Sequence, residues 1–92
     1  MAIDHVMRRV TDAQRAVLCY QRMLEGARRR ASIYERRGYL DMLDEIAGHI
    51  SWLEREVRYY ESELELAEAN YQTALQKSEI GGAIDEPTTE LQ

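Results

Sequence analysis

Residues 31–43 read Ala31-Ser32-Ile33-Tyr34-Glu35-Arg36-Arg37-Gly38-Tyr39-Leu40-Asp41-Met42-Leu43. Ala31 and Tyr34 close one apolar repeat, Tyr39 and Leu43 open another, and Gly38 stands between them. Upstream, Ile3, Val6, Val10, Ala13, Val17, Tyr20, Leu24 and Ala27 lead to Ala31 and Tyr34 in alternating steps of three and four. Downstream, Ile46, Ile50, Leu53, Val57, Tyr60, Leu64, Ala67, Tyr71 and Ala74 carry the same alternation onward. An apolar residue every ~3.5 positions is the stripe two helices need to share one seam. These residues are the a and d rows of a heptad, and the remaining rows b, c, e, f and g follow from them.

The turn residues say how the two stripes meet. Asp4 lies near the positive end of the first helix, and Arg36 and Arg37 lie near its negative end, as the helix dipole prefers. Gly38 takes the place where a left-handed residue closes a helix. The second helix starts at Tyr39 or at Asp41, whose carboxylate can cap the free amides, with Asp44 and Glu45 adding charge to the first turn. The pattern predicts a helix over 3–37, a turn at 38 and a helix over 39–78, ended by Gly81–Gly82. The hairpin occupies 1–80, and 81–92 reads as a flexible tail. Arms of matched length around one short turn predict an all-α, antiparallel two-helix coiled-coil hairpin. The competing arrangement is one continuous helix through Gly38 forming a long parallel coiled coil, because glycine inside a helix costs only ~1 kcal/mol.

Composition agrees with long helices. The 92 residues include no Phe and one Pro, which argues against a sheet. The longest wholly apolar run is Ala16–Val17–Leu18–Cys19–Tyr20, so no segment is expected to span a bilayer. Asp4, Arg8 and Arg9 interrupt the first ten residues, which lack the apolar core of a secretory signal. Cys19 is the single cysteine and can form no internal disulfide, which points to a reducing, cytoplasmic setting. Residues 1–37 hold nine arginines against Asp4, Asp12, Glu25 and Glu35, a balance of +5, and residues 38–92 carry −10, giving the net −5. Two arms of opposite sign attract when folded antiparallel, although salt leaves each exposed contact worth well under ~1 kcal/mol.

One seam does not use all the apolar residues. Trp52, Tyr59 and Leu66 recur at seven on the c row of the second helix. In the first helix Ala16 and Met23 fall on g, and Cys19 and Ile33 on c, so both arms are apolar on one flank of the seam. A flank built from Trp52, Tyr59, Leu66, Met23, Ile33 and Cys19 predicts a partner surface. A homodimer forming a four-helix bundle is the simplest way to cover it.

Two charged rows follow the same spacing. Arg8, Arg15, Arg22, Arg29 and Arg36 occupy every f position of the first helix, about 10.5 Å apart along a ridge. Glu54, Glu61 and Glu68 occupy e positions of the second. The arginine ridge suits an acidic protein face or a nucleic-acid backbone. Its f row carries no aromatic residue to stack on bases, and the net charge opposes nucleic acid. The ordered carboxylates can imitate a phosphate backbone. Each row also reads as an ordinary solvated helix face.

No set of residues spells out a reaction. Cys19, His5 and His49 are too dispersed to converge, and Cys-x-x-Cys, His-x-x-x-His and Glu-x-x-His spacings are absent. No catalytic, metal or cofactor residues are therefore expected. In size and helical content the chain is similar to small co-chaperones of type III secretion and to phage or mobile-element inhibitors of host defence. Secreted helical-hairpin proteins of similar length carry a Trp-x-Gly at the turn. Here the turn reads Arg36-Arg37-Gly38-Tyr39-Leu40 and the tryptophan lies at residue 52. The expected function is a small non-enzymatic protein–protein interaction module, an adaptor, chaperone or inhibitor, with a protein partner or a second copy. The alternatives are inhibition of a host nucleic-acid-handling complex by the acidic second helix, and nucleic-acid binding by the arginine ridge.

Overall fold

A computed structural model describes residues 2–84 as two α-helices, α1 (Ala2–Arg37) and α2 (Leu40–Ile84), joined by Gly38 and Tyr39 alone. The molecule is a rod of 74 × 16 × 15 Å.

The reversal is built into the backbone. Gly38 adopts φ 75°, a left-handed conformation that L side chains resist. Its N–H donates to the Glu35 carbonyl at 3.2 Å, and the N–H of Tyr39 donates to the Tyr34 carbonyl at 2.9 Å. This pair of bonds is a Schellman closure. The apolar contact that accompanies such a closure is supplied by the Tyr34 and Tyr39 rings, whose centroids lie 6.4 Å apart. A continuous helix through Gly38 is thereby excluded.

The second helix begins at once, with the N–H of Leu43 donating to the Tyr39 carbonyl at 2.9 Å. Tyr39 therefore occupies the N-cap position and Leu40 is the first helical residue. The expectation that Asp41 caps α2 is corrected: Asp41 lies inside the first turn, where its carboxylate complements the helix dipole.

The seam is the one the heptads define. The buried residues are Ala13, Val17, Leu24, Ala27, Ile46, Leu53, Val57 and Ala67, all on a or d rows. The other a and d residues are half-buried, except Tyr39 at the turn, which is exposed. Leu53 and Ala27 are fully enclosed at 0% exposure. They sit in a cluster with Leu24, Ile46 and Val57, against which Tyr20, Ala31, Tyr34, Leu43 and Ile50 pack. Small Ala27 and Ala31 of α1 thus pack in one cluster with the larger Leu43, Ile46, Ile50, Leu53 and Val57 of α2.

α2 ends later than expected. It continues through Gly81–Gly82 to Ile84 instead of stopping near 78. Each glycine costs a helix ~1 kcal/mol but breaks no backbone hydrogen bond, so the pair weakens the helix without ending it. The expected tail is thus helical over 81–84, and its remainder, 85–92, lies outside the described residues. Because α2 has 45 residues and α1 has 36, α2 outruns its partner at the open end of the rod.

Candidate interaction surface

In an antiparallel hairpin the two g rows face each other on one side of the seam and the two e rows on the other. The c rows border the g side. The e side carries the ion pair found among the described residues: Arg28 Nη2 donates to Glu54 Oε2 at 3.0 Å. The acidic row is therefore partly engaged within the chain. Glu54 is half-buried and paired, while Glu61 and Glu68 are exposed.

The g side is aromatic. His49 and Trp52 stack with centroids 5.9 Å apart. Trp52 meets Tyr20 edge-on at 6.0 Å, and Tyr20 stacks on Tyr60 at 5.2 Å. Tyr60 in turn meets Tyr59 edge-on at 5.0 Å. Five rings from both helices thus form one continuous chain across the middle of the rod, in the offset and edge-on geometries that ring quadrupoles favour. Burial against this chain pushes the Tyr20 phenol above its ordinary value of 10.0, with negative charge at Tyr60 and Glu56 adding to the effect.

Contact within the chain does not cover Trp52 or Tyr59, and Leu66 lies beyond the rings in the same row of α2. Trp52, Tyr59 and Leu66 remain 40%, 56% and 58% exposed. They project from α2 in one row, one above the next every two turns. Tyr59 and Leu66 also wall a groove of about 330 Å³ with Arg9, Asp12, Glu63 and Asn70.

The expected flank is divided. Met23 and Cys19 are exposed and Ile33 is half-buried, all on α1. None of these three lines the groove that holds Tyr59 and Leu66. Between the α1 residues and the α2 stripe runs the g row of α2, where Glu56 is half-buried and Glu63 exposed. Sequence reasoning treated both helices as one apolar surface because it weighed the rows by residue type. The g row in the gap reads Met42, His49, Glu56, Glu63 and Asn70. The same reasoning left out the f row of α2 beside the stripe, where Gly48, Ser62 and Ala69 are small and exposed.

The arginine ridge is a real geometric feature. Arg8, Arg15, Arg22, Arg29 and Arg36 are all exposed on α1, and none joins an ion pair among the described residues. The described residues hold no group of three His, Cys, Asp or Glu side chains placed to bind a metal ion. No helix among them is long and apolar enough to cross a membrane. No family model, curated protein or solved structure matches this chain.

Proposed function

We propose that this chain is a small non-enzymatic protein–protein interaction module, of the adaptor, chaperone or inhibitor kind, working in a reducing cytoplasmic setting. Its contact surface is the outer stripe of α2. The observation that carries the reading is the exposure of Trp52, Tyr59 and Leu66 in one row of a helix whose core is thin. Among the described residues Leu53 is the one large side chain that is fully buried. A single seam supplies little stability to a chain of this size, and leaving an indole, a phenol and a leucine in line on its surface forgoes more. Aromatic side chains in a central exposed row are what binding hot spots are made of.

The test is substitution of Trp52→Ala and Tyr59→Ala in the full chain, with solution mass and partner capture as readouts. Loss of either association with unchanged helicity supports the reading. Unchanged mass and unchanged capture in both variants overturns it.

A further inference from the structure

We propose that the occupant of the α2 stripe is a second copy of the same chain, with the two α2 helices packed antiparallel about a two-fold axis near Tyr59 and Ser62. The proposal rests on the reading of the stripe given above and names its partner.

The argument begins with the spacing of the stripe. Trp52, Tyr59 and Leu66 recur every seven residues on the c row. Beside them on the f row stand Gly48, Arg55, Ser62 and Ala69, all exposed. Rows c and f alternate steps of three and four, as a and d do, and therefore form a second seam on the far side of α2. In an antiparallel pair a residue of one row sits beside a residue of the other. With the axis near Tyr59 and Ser62, Trp52 lies beside Ala69 of the second copy and Tyr59 beside its Ser62. Leu66 lies along the aliphatic stem of its Arg55. Each large side chain meets a small or slender one, and the two-fold repeats every contact.

One edge of this register sets opposite charges together. α2 carries three cations, Arg55, Arg58 and Lys77. Two of them, Arg55 and Arg58, flank the axis and come beside Glu65 of the second copy, once on each side of the two-fold. On the opposite edge Glu56 approaches Glu63 of the second copy, and the two-fold makes this two like-charge contacts, which weaken the dimer. Packing the two g-side grooves face to face, as a four-helix bundle requires, is the poorer solution. It would enclose Glu56 and Glu63 from both copies, four carboxylates in one core.

The experiment is a charge swap in the full chain, read by sedimentation equilibrium with far-UV circular dichroism as the folding control. The wild type is expected to form a dimer. Arg58→Glu alone and Glu65→Arg alone each place two like-charge contacts across the axis, and each is expected to weaken the dimer about tenfold. The double variant R58E/E65R restores opposite charges at the 58–65 contact but leaves Arg55 beside the arginine introduced at position 65, so it is expected to dimerise more tightly than either single variant, whereas Glu63→Gln is expected to tighten the dimer. A wild type that stays a single hairpin at several hundred micromolar overturns the proposal, and so does a double swap that dimerises no more tightly than the single variants. In either case, capture of a different protein that Trp52→Ala abolishes leaves the stripe as the contact surface and removes only the second copy as its occupant.

Discussion

The phenol rings of Tyr20 and Tyr60 stack across the seam with centroids 5.2 Å apart and planes 11° from parallel. Their contact ties the centre of α1 to the centre of α2 and places a titratable group inside the aromatic chain. Burial raises the Tyr20 phenol above its ordinary 10.0. In the unfolded chain the same phenol ionises near 10.0, so the folded state holds the proton more tightly. The stabilisation is complete below that value and is lost as pH rises through the folded one. Melting temperature is therefore expected to fall on the alkaline side of pH ~10, while absorbance at ~295 nm shows one tyrosine ionising late. Tyr20→Phe keeps the ring, removes the proton and should flatten that part of the profile.

Two glycines of α2 and its turn should respond in opposite directions. A Cβ at Gly48 would meet nothing within 4 Å, and the position is exposed inside a helix. Gly48→Ala is expected to stabilise the chain by about 0.5–1 kcal/mol. Gly38 also has nothing within 4 Å, but its φ of 75° penalises any side chain. Gly38→Ala is expected to cost about 1 kcal/mol through backbone strain alone. Urea unfolding followed at 222 nm measures both.

The burial contrast between two leucines gives a third expectation. Leu53 is fully enclosed, whereas Leu66 is 58% exposed. Leu53→Ala removes a packed side chain and should cost about 2–5 kcal/mol, enough to unfold much of a single-seam hairpin. Leu66→Ala should change the stability of an isolated hairpin by no more than about 0.5 kcal/mol, read from the same unfolding curves.

Most of the fold was legible because one physical constraint recurs along the whole chain. Two helices can share a seam only if apolar residues return every ~3.5 positions, and from Ile3 to Ala74 they do so. Gly38 was legible because its position between two complete repeats leaves it the closing role. The end of α2 was not legible. Gly81–Gly82 reads as a stop only if glycine is taken as a barrier, whereas it is a penalty that a long helix absorbs. Asp41 was misplaced as a cap because residue type says which side chain can cap, while the turn hydrogen bond from Leu43 to Tyr39 decides where the helix begins. The stripe of Trp52, Tyr59 and Leu66 was legible from spacing. Its separation from Met23, Cys19 and Ile33 was not, because side-chain burial at Glu56 depends on how closely the helices approach.

The ion pair between Arg28 and Glu54 joins side chains that are 57% and 38% exposed, so water and salt screen it. A double-mutant cycle with Arg28→Ala and Glu54→Ala is expected to give a coupling of less than about 1 kcal/mol, vanishing near 1 M salt. A coupling that persists at high salt would contradict this view of the e side.

The arginine ridge is expected not to act as a nucleic-acid site. Duplex DNA at ~50 mM salt, where phosphate contacts are strongest, should leave the chain unshifted in a gel. A shift abolished by Arg15→Glu and Arg22→Glu together would reverse that expectation and assign the ridge a ligand.

The two-residue junction at Gly38 and Tyr39 also governs the order in which the molecule assembles. Pairs beside it, such as Tyr34 and Ile46, close short loops, while those at the open mouth join residues nearly the full chain apart. Loop closure grows dearer with length. The helices therefore zip shut from the bend outward and, under thermal agitation, part first at the mouth, so backbone amides flanking the bend should exchange with deuterium last.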